Sequence, residues 1–326
     1  MGTPPVAAAC LKHLATTSHE IAAVCTHSDR VMGRGLKPHP TAVKEAALEL
    51  GLPVREVPDV RDPAFEAWLR SLQADLLVLV AFVVLPDSIL ATTRLGAINL
   101  HGSLLPRWRG AAPVQRSLEA GGDAVGWSIF RLDSGVDTGG ILLQRAMQVG
   151  PDETSGEVLA RMGEEGGPAL AEAIEMLSQE PVPTGTRQDP ALASRAPKLA
   201  PEQGRLDWTL PARRLHDKIR AFHPAPGCWT ELVESSGAPA RLKIWRTRLS
   251  PLVEALETCG DSDSRARHVS TTGEAVGSLV ALPGNRVAVV CGDGLLELVE
   301  VQAEGKPRRS GSDWYNGVRG RDPSFR

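Results

Sequence analysis

The chain has 326 residues, 42% hydrophobic and 23% charged, which fits one large or two ordinary globular domains and excludes a disordered or low-complexity protein. A net charge of −3 excludes a uniformly basic polyanion binder, and the longest apolar run, Leu76 to Pro86, is too short to cross a bilayer. Five scattered cysteines with no Cys-x-x-Cys pair argue against a disulfide framework and a zinc site, and for reduced thiols in a cytosolic protein.

The opening "MGTPPVAAACLKHL" lacks the basic-then-apolar pattern of a secretory signal. Apolar spacing predicts a helix over 6–14, then a short strand in "HEIAAVCTH" and a helix over 42–50. "ADLLVLVAF" is a continuous apolar strand of the kind buried on both faces in parallel sheets. Strands follow over 96–100, 126–132 and 141–149, with a helix over 111–120. A long helix runs from about 154 to 177, marked at its start by the capping pair Thr154 and Glu157. Strands alternating with helices predict a doubly wound, mostly parallel α/β sheet, whose ligands bind beyond the carboxyl ends of its strands. That alternation would also place a strand before the first helix, and none is present ahead of "MGTPP".

Periodicity stops over 178–204, a proline-rich stretch that reads as an extended linker. Beyond it, a helix over 211–222 precedes five short β-runs: "CWTELV", "ARLKIWRTRL", "GSLVAL", "NRVAVVC" and "LLELVEVQ". Such runs predict a small, OB-like β-barrel. The domains expected are therefore 1–178, a linker over 179–204, and 205–326. Charge is uneven: Arg30, Arg34, Lys37 and Lys44 form a basic stretch with no acid between them, and residues 305–326 hold six basic and two acidic side chains. Basic stripes on a near-neutral chain suit local contact with a polyanion, or simply a solvated surface.

Two segments could carry chemistry. In "GAINLHGSLLPRWRGAAP", Asn99 and His101 project from the same face at a strand end. Imidazole is a natural proton shuttle and a carboxamide can donate to a developing oxyanion, although the pair could equally satisfy backbone groups. In "RLDSGVDTGGILLQ", Asp133 or Asp137 could orient His101, or the segment could be an ordinary hairpin turn. Trp108, between two arginines, could stack on a base or pin its loop.

Together, "INLHGSLLPRWRGAAPVQRSL" and "DSGVDTGGIL" resemble the methionyl-tRNA formyltransferases, a branch of the folate-dependent formyltransferases. The likeness extends to "DRVMGRGLKPHPTAVK", "RLDWTLPARRLHDKIRAFHPAPG" and "VQAEGKPRRSGSDWYNG", leaving residues 250–272 unmatched. The resemblance implies formyl transfer from 10-formyltetrahydrofolate to the α-amine of initiator methionyl-tRNA, without a metal, by a cytoplasmic monomer. It implies a catalytic set of Asn99, His101 and Asp137, and a folate site lined by Ser103, Leu104, Leu105 and Pro106. It implies tRNA contacts from Arg34 and Lys37 in the basic loop and from Lys306, Arg308 and Arg309 in the second domain, where Lys243, Arg246 and Arg248 are further candidates.

Relatives carry an apolar strand before the "GTP" turn, so the resemblance predicts two exposed strand edges here and a chain stabilised by an added N-terminal segment. It also marks the 81–90 turn as altered, with Val83 replacing a glycine of the pterin pocket, and Trp127 and Gly140 as departures near the catalytic loop. His223 stands where asparagine is usual and is expected to be structural. Two alternatives stay open: a folate-dependent formyltransferase or hydrolase acting on a small molecule, and a tRNA-binding homologue without catalysis.

Overall fold

The computed structural model describes residues 1–32, 37–122, 125–233, 239–249, 275–321 and 323–325. The chain divides into two compact units. One comprises Met1–Val114, Ala124–Gln148 and Glu157–Pro197; the other comprises Gln115–Asp123, Val149–Gly156 and Lys198–Arg326.

The first unit opens with α1 (Pro5–Leu14), β1 (Val24–Thr26), an antiparallel hairpin of β2 (Arg30–Met32) and β3 (Lys37–His39), and α2 (Ala42–Glu49). Thr41 caps α2, its hydroxyl accepting the Lys44 backbone N–H at 3.1 Å. Next come β4 (Val54–Glu56), α3 (Pro63–Ser71), β5 (Leu77–Val80), the short α4 (Asp87–Leu90) and β6 (Ala97–His101). Helix α5 (Pro113–Glu119), strands β7 (Gly126–Arg131) and β8 (Ile141–Ala146), and α6 (Ser155–Leu177) complete the first half. The hairpin, β4, α3 and α4 are additions to the elements expected from periodicity. Helix α3 is specified by its start, where Pro63 occupies the first turn and the Asp62 carboxylate accepts the Ala64 N–H at 2.8 Å.

Strand β1 pairs parallel with β4, and β5 pairs parallel with β6; β7 and β8 then extend the sheet antiparallel at one edge. The apolar run of β5 sends Leu77 and Leu79 into a core of Cys25, Val57, Phe65, Leu69 and Ile89. Between β1 and β5 the ladder is carried by two residues. Gly2 bridges to Val80, its N–H donates to the Cys25 carbonyl at 3.1 Å, and Val80 N–H donates to the Met1 carbonyl at 3.0 Å. Beside this stub lies a partly open pocket of about 480 Å³, lined by Cys10, Leu14, Val24, Val78, Leu170 and Leu177, with polar side chains such as His19, Gln73 and Asp75 also on its wall.

In the second unit, α7 (Ala212–Phe222) turns Leu215, Ile219 and Phe222 inward. The strands are β9 (Cys228–Val233), β10 (Ala240–Leu249), β11 (Leu279–Leu282), β12 (Arg286–Val290), β13 (Leu295–Ala303), β14 (Arg309–Ser310) and β15 (Ser324–Phe325), with α8 (Gly311–Val318) before the last. They form an antiparallel sheet in the order β11-β12-β13-β10-β9-β15, with β14 paired to β13 off this path. A bridge between Ser278 and Ser324 joins its two ends, closing a small barrel. Leu242, Ile244, Val287, Val289, Leu296 and Val301 fill the interior.

Among the described residues, no helix is long and apolar enough to cross a membrane.

Candidate active site

Strand β6 ends where its parallel pairing with β5 ends, and this positions the site. Asn99 is half-buried and His101 is 5% exposed. The Asn99 side chain has no hydrogen-bond partner among the described residues. His101 packs edge-on to Phe130 at a centroid distance of 6.3 Å. Its Nε2 lies 2.8 Å from the Trp108 carbonyl oxygen. A carbonyl only accepts, so this nitrogen carries a proton. Its Nδ1 faces Asp137 Oδ2 at 3.6 Å. An acceptor stands at each ring nitrogen, an arrangement that suits an imidazolium and leaves Nδ1 the less tightly held.

The glycine-rich loop gives its two aspartates different work. Asp133 is exposed and holds the loop itself, accepting Gly135 N–H at 3.0 Å and Thr138 Oγ1–H at 2.6 Å. Asp137 is the one that turns toward His101, and its Oδ2 also accepts Gly110 N–H at 2.8 Å. Gly139 is required at its position, since an added Cβ would overlap the Arg131 carbonyl.

The run from Ser103 to Pro106 forms a packed corner. Ser103 is fully buried, its hydroxyl donating to the Arg107 carbonyl at 2.6 Å. Leu105 is 4% exposed, held by Ser128 Oγ to its N–H at 3.1 Å and by Gln144 Nε2 to its carbonyl at 2.9 Å. Leu104 and Pro106 are half-buried and are the members of the run that keep surface. Phe82 in the altered turn stacks on His27 with ring centroids 5.0 Å apart, while Val84 is exposed. Trp127 is buried and donates through Nε1 to Glu165 at 3.1 Å.

Arg34 lies outside the described residues, as does the side chain of Lys37. Lys306, Arg308 and Arg309 are exposed on the barrel. Arg308 lies over the Trp245 ring at 3.8 Å and reaches Glu300 at 3.4 Å. Arg248 faces Asp152 at 3.7 Å and Glu297 at 3.8 Å.

Sequence reasoning missed two groups. On the outer face of β9 and β10, the Arg241 guanidinium stacks 3.9 Å from the Trp229 ring centroid, with Arg205 at 5.8 Å on the same ring. Beside this pair, Lys243, already a candidate from the sequence, is paired in register with Trp229 and lies 5.2 Å from the Trp245 ring. Strand alternation in "CWTELV" and "ARLKIWRTRL" was the available signal. The second group is Gln188 and Ser194, inside the stretch read as a linker. Gln188 is 5% exposed and bonds both site loops; Ser194 bonds the Trp108 backbone. Composition gave no signal for either.

The chain matches a family model described as formyl transferase over residues 1–174, and one described as formyl transferase, C-terminal domain, over residues 198–319. It is 40% identical over 319 residues to a methionyl-tRNA formyltransferase of Pseudomonas paraeruginosa, covering 98% of this chain and 94% of that protein. It is 39% identical over 321 residues to that of Anaeromyxobacter dehalogenans, covering 98% and 96%. Among solved structures, a sugar 3N-formyl transferase, WlaRD, crystallised with dTDP and 5-N-formyl-THF, shares the fold. Its TM-score is 0.60 at 13% identity, covering 94% of this chain and 97% of that one.

Proposed function

The chain belongs to the formyl transferase family, and from that premise we infer a methionyl-tRNA formyltransferase activity. The enzyme transfers the formyl group of 10-formyltetrahydrofolate to the α-amino group of initiator methionyl-tRNA. The observation that carries the site is His101 set between Asp137 Oδ2 at 3.6 Å and the Trp108 carbonyl at 2.8 Å, beside Asn99 on the same face of β6.

The residues present fit such a donor, because Asn99 keeps a carboxamide without a partner among the described residues next to a flanked imidazole. When bound, 10-formyltetrahydrofolate supplies a formyl group activated toward attack by an amine. An α-amine with a pKa near 8 is readily neutral, so the chain need not supply a strong base. Asn99 donates a hydrogen bond to the oxygen on which negative charge develops, and one such donor is worth about 3–4 kcal/mol to the transition state. His101 relays the proton that the attacking amine gives up toward the folate nitrogen that departs. Its Nε2–H is committed to the Trp108 carbonyl, so Nδ1 is the atom through which the proton moves, with Asp137 steadying the charged ring. Leu104 and Pro106 give the folate an apolar wall, and Ser103 and Leu105 hold that wall in shape. Positioning and charge stabilisation supply the rate.

By the same proposal catalysis resides in 1–178, RNA contact comes from 205–326, and of the joining stretch 179–204 the part up to Pro197 packs within the first unit. Arg34 and Lys37 reach the acceptor end of the tRNA, while Lys306, Arg308 and Arg309 neutralise backbone phosphate. A monomer in the cytoplasm is the form expected of it.

Purified protein with 10-formyltetrahydrofolate and charged initiator tRNA tests this. Wild type formylates the tRNA, and His101→Ala loses nearly all turnover. Retained turnover in that variant overturns the site assignment. tRNA binding without turnover in wild type, or activity on small amines alone, overturns the activity.

A further inference from the structure

We propose that Gln188 and Ser194, in the proline-rich stretch after α6, are positioning residues that hold the two acceptors flanking His101. The proposal rests on the reading of His101 as the proton carrier.

Both acceptors sit on backbone that does not hold itself. Trp108 has φ of +61° and Asp137 has φ of +54°. Side-chain-bearing residues in the left-handed region persist where surrounding structure fixes them. Here the proline-rich stretch supplies the fixing at both points.

Gln188 ties the two loops together with one buried carboxamide. Its Nε2 donates to the carbonyls of Asp137 at 3.0 Å and Gly139 at 2.8 Å. Its Oε1 accepts from Arg109 Nε at 3.1 Å and Nη2 at 2.7 Å. The Asp137 loop and the 107–110 loop are therefore spaced by one side chain whose donors and acceptor are all in use. Burying an amide is costly, and it is sustained here because the amide is fully bonded.

Ser194 acts on the other acceptor. Its Oγ accepts Trp108 N–H at 2.9 Å, and its carbonyl accepts Arg109 N–H at 2.8 Å. The ladder continues as Ala196 N–H donates to the Arg109 carbonyl at 2.7 Å, through a parallel bridge between Arg109 and Arg195. The peptide whose carbonyl holds the Nε2 proton of His101 is thus itself hung from Ser194. Removing the hydroxyl releases the preceding Arg107–Trp108 peptide and leaves the Arg109 N–H bond in place, so the backbone dihedrals of Trp108 that aim its carbonyl at His101 loosen.

The test uses the full chain carrying Gln188→Ala, Ser194→Ala or Ser194→Thr, with His101→Ala as the reference. The readouts are kcat, KM for methionyl-tRNA, melting temperature, and the ¹⁵N shifts of the His101 ring. The expected result is a fall in kcat of about 10- to 100-fold in both alanine variants, with KM near wild type. The His101 ¹⁵N shifts change in both, and threonine at 194 restores them together with kcat. Unchanged ¹⁵N shifts overturn the proposal, as does a kcat that falls only in proportion to lost folded protein. If His101→Ala itself keeps full turnover, the site reading fails first and carries this proposal with it. If His101→Ala is inactive while both alanine variants run at wild-type kcat, only the positioning role is lost.

Discussion

Asp137 Oδ2 faces His101 Nδ1 at 3.6 Å while accepting the Gly110 N–H at 2.8 Å, so one carboxylate oxygen serves both the imidazole and the loop beside it. Asparagine at this position keeps an acceptor for Gly110 and removes the charge. Asp137→Asn is therefore expected to preserve the melting temperature and lower single-turnover formylation by about 10²- to 10⁴-fold, the usual worth of a positioned acid–base partner. Equal single-turnover rates in the two proteins would show that the charge on Asp137 has no part in the reaction.

The core of this site was legible because it is local. Asn99 and His101 lie two apart on one strand, and strand alternation alone puts them on one face. The β5 run was equally plain, since burial on both faces leaves nothing polar to interrupt it. Choosing Asp137 over Asp133 needed the family resemblance, because the turn's sequence gives both carboxylates the same standing. Gln188 and Ser194 were invisible for a physical reason. Their partners lie between 49 and 86 residues away, and proline-rich composition reports only that a segment is not helical. Helix α3 was missed because its two buried side chains, Phe65 and Leu69, make too short a pattern to register, although Asp62 and Pro63 mark its start.

The barrel face predicts a measurable electrostatic footprint. Arg241 is exposed, stacked on Trp229 at 3.9 Å, and paired with no carboxylate among the described residues. Stacking fixes the guanidinium plane and leaves its edge N–H groups for a phosphate. Arg241→Ala should weaken tRNA binding and reduce the slope of log K against log salt by about 1, as expected for one lost phosphate contact. Trp229→Leu should act in the same direction by releasing that plane. Binding titrations between low and physiological salt check both variants, and identical slopes would remove this face from the RNA contact.

The cavity beside Gly2 predicts a stability gain. Its walls include Cys10, Val24, Val78 and Leu170, and among the described residues the facing edges of β1 and β5 are bridged through Met1 and Gly2. A short extended apolar segment fused ahead of Met1 can continue that ladder and fill the void. Each Å² of apolar surface it removes from water is worth about 25 cal/mol. The fused protein should melt several degrees higher, with the gain lost when its inward positions are changed to serine. Matching melting curves for the fused and unfused chains would mean that the slot does not take a strand.

His216 predicts how the second unit responds to acid. The imidazole is buried, with Nδ1 2.9 Å from Thr247 Oγ1 and Nε2 2.9 Å from the Pro151 carbonyl. Burial lowers its pKa below the ordinary value of 6.5, against opposing pulls from the Pro151 carbonyl, Asp217 and Asp152, and with a small further push from Arg220. The neutral ring satisfies both bonds, Nε2 donating to the carbonyl and Nδ1 accepting from the threonine. In the unfolded chain the same imidazole takes a proton at about pH 6.5. Between that pH and the lower folded value, the unfolded state binds more protons, so stability falls as pH falls through the window. Above it, the contribution of His216 is flat. Thermal melts from pH 7.5 down to 5 should show a progressive loss in wild type. In His216→Asn, the same part of the loss should be missing, on a lower baseline at neutral pH because the bonds to Thr247 and Pro151 are weakened. Parallel pH profiles for the two proteins would assign the acid sensitivity to other groups.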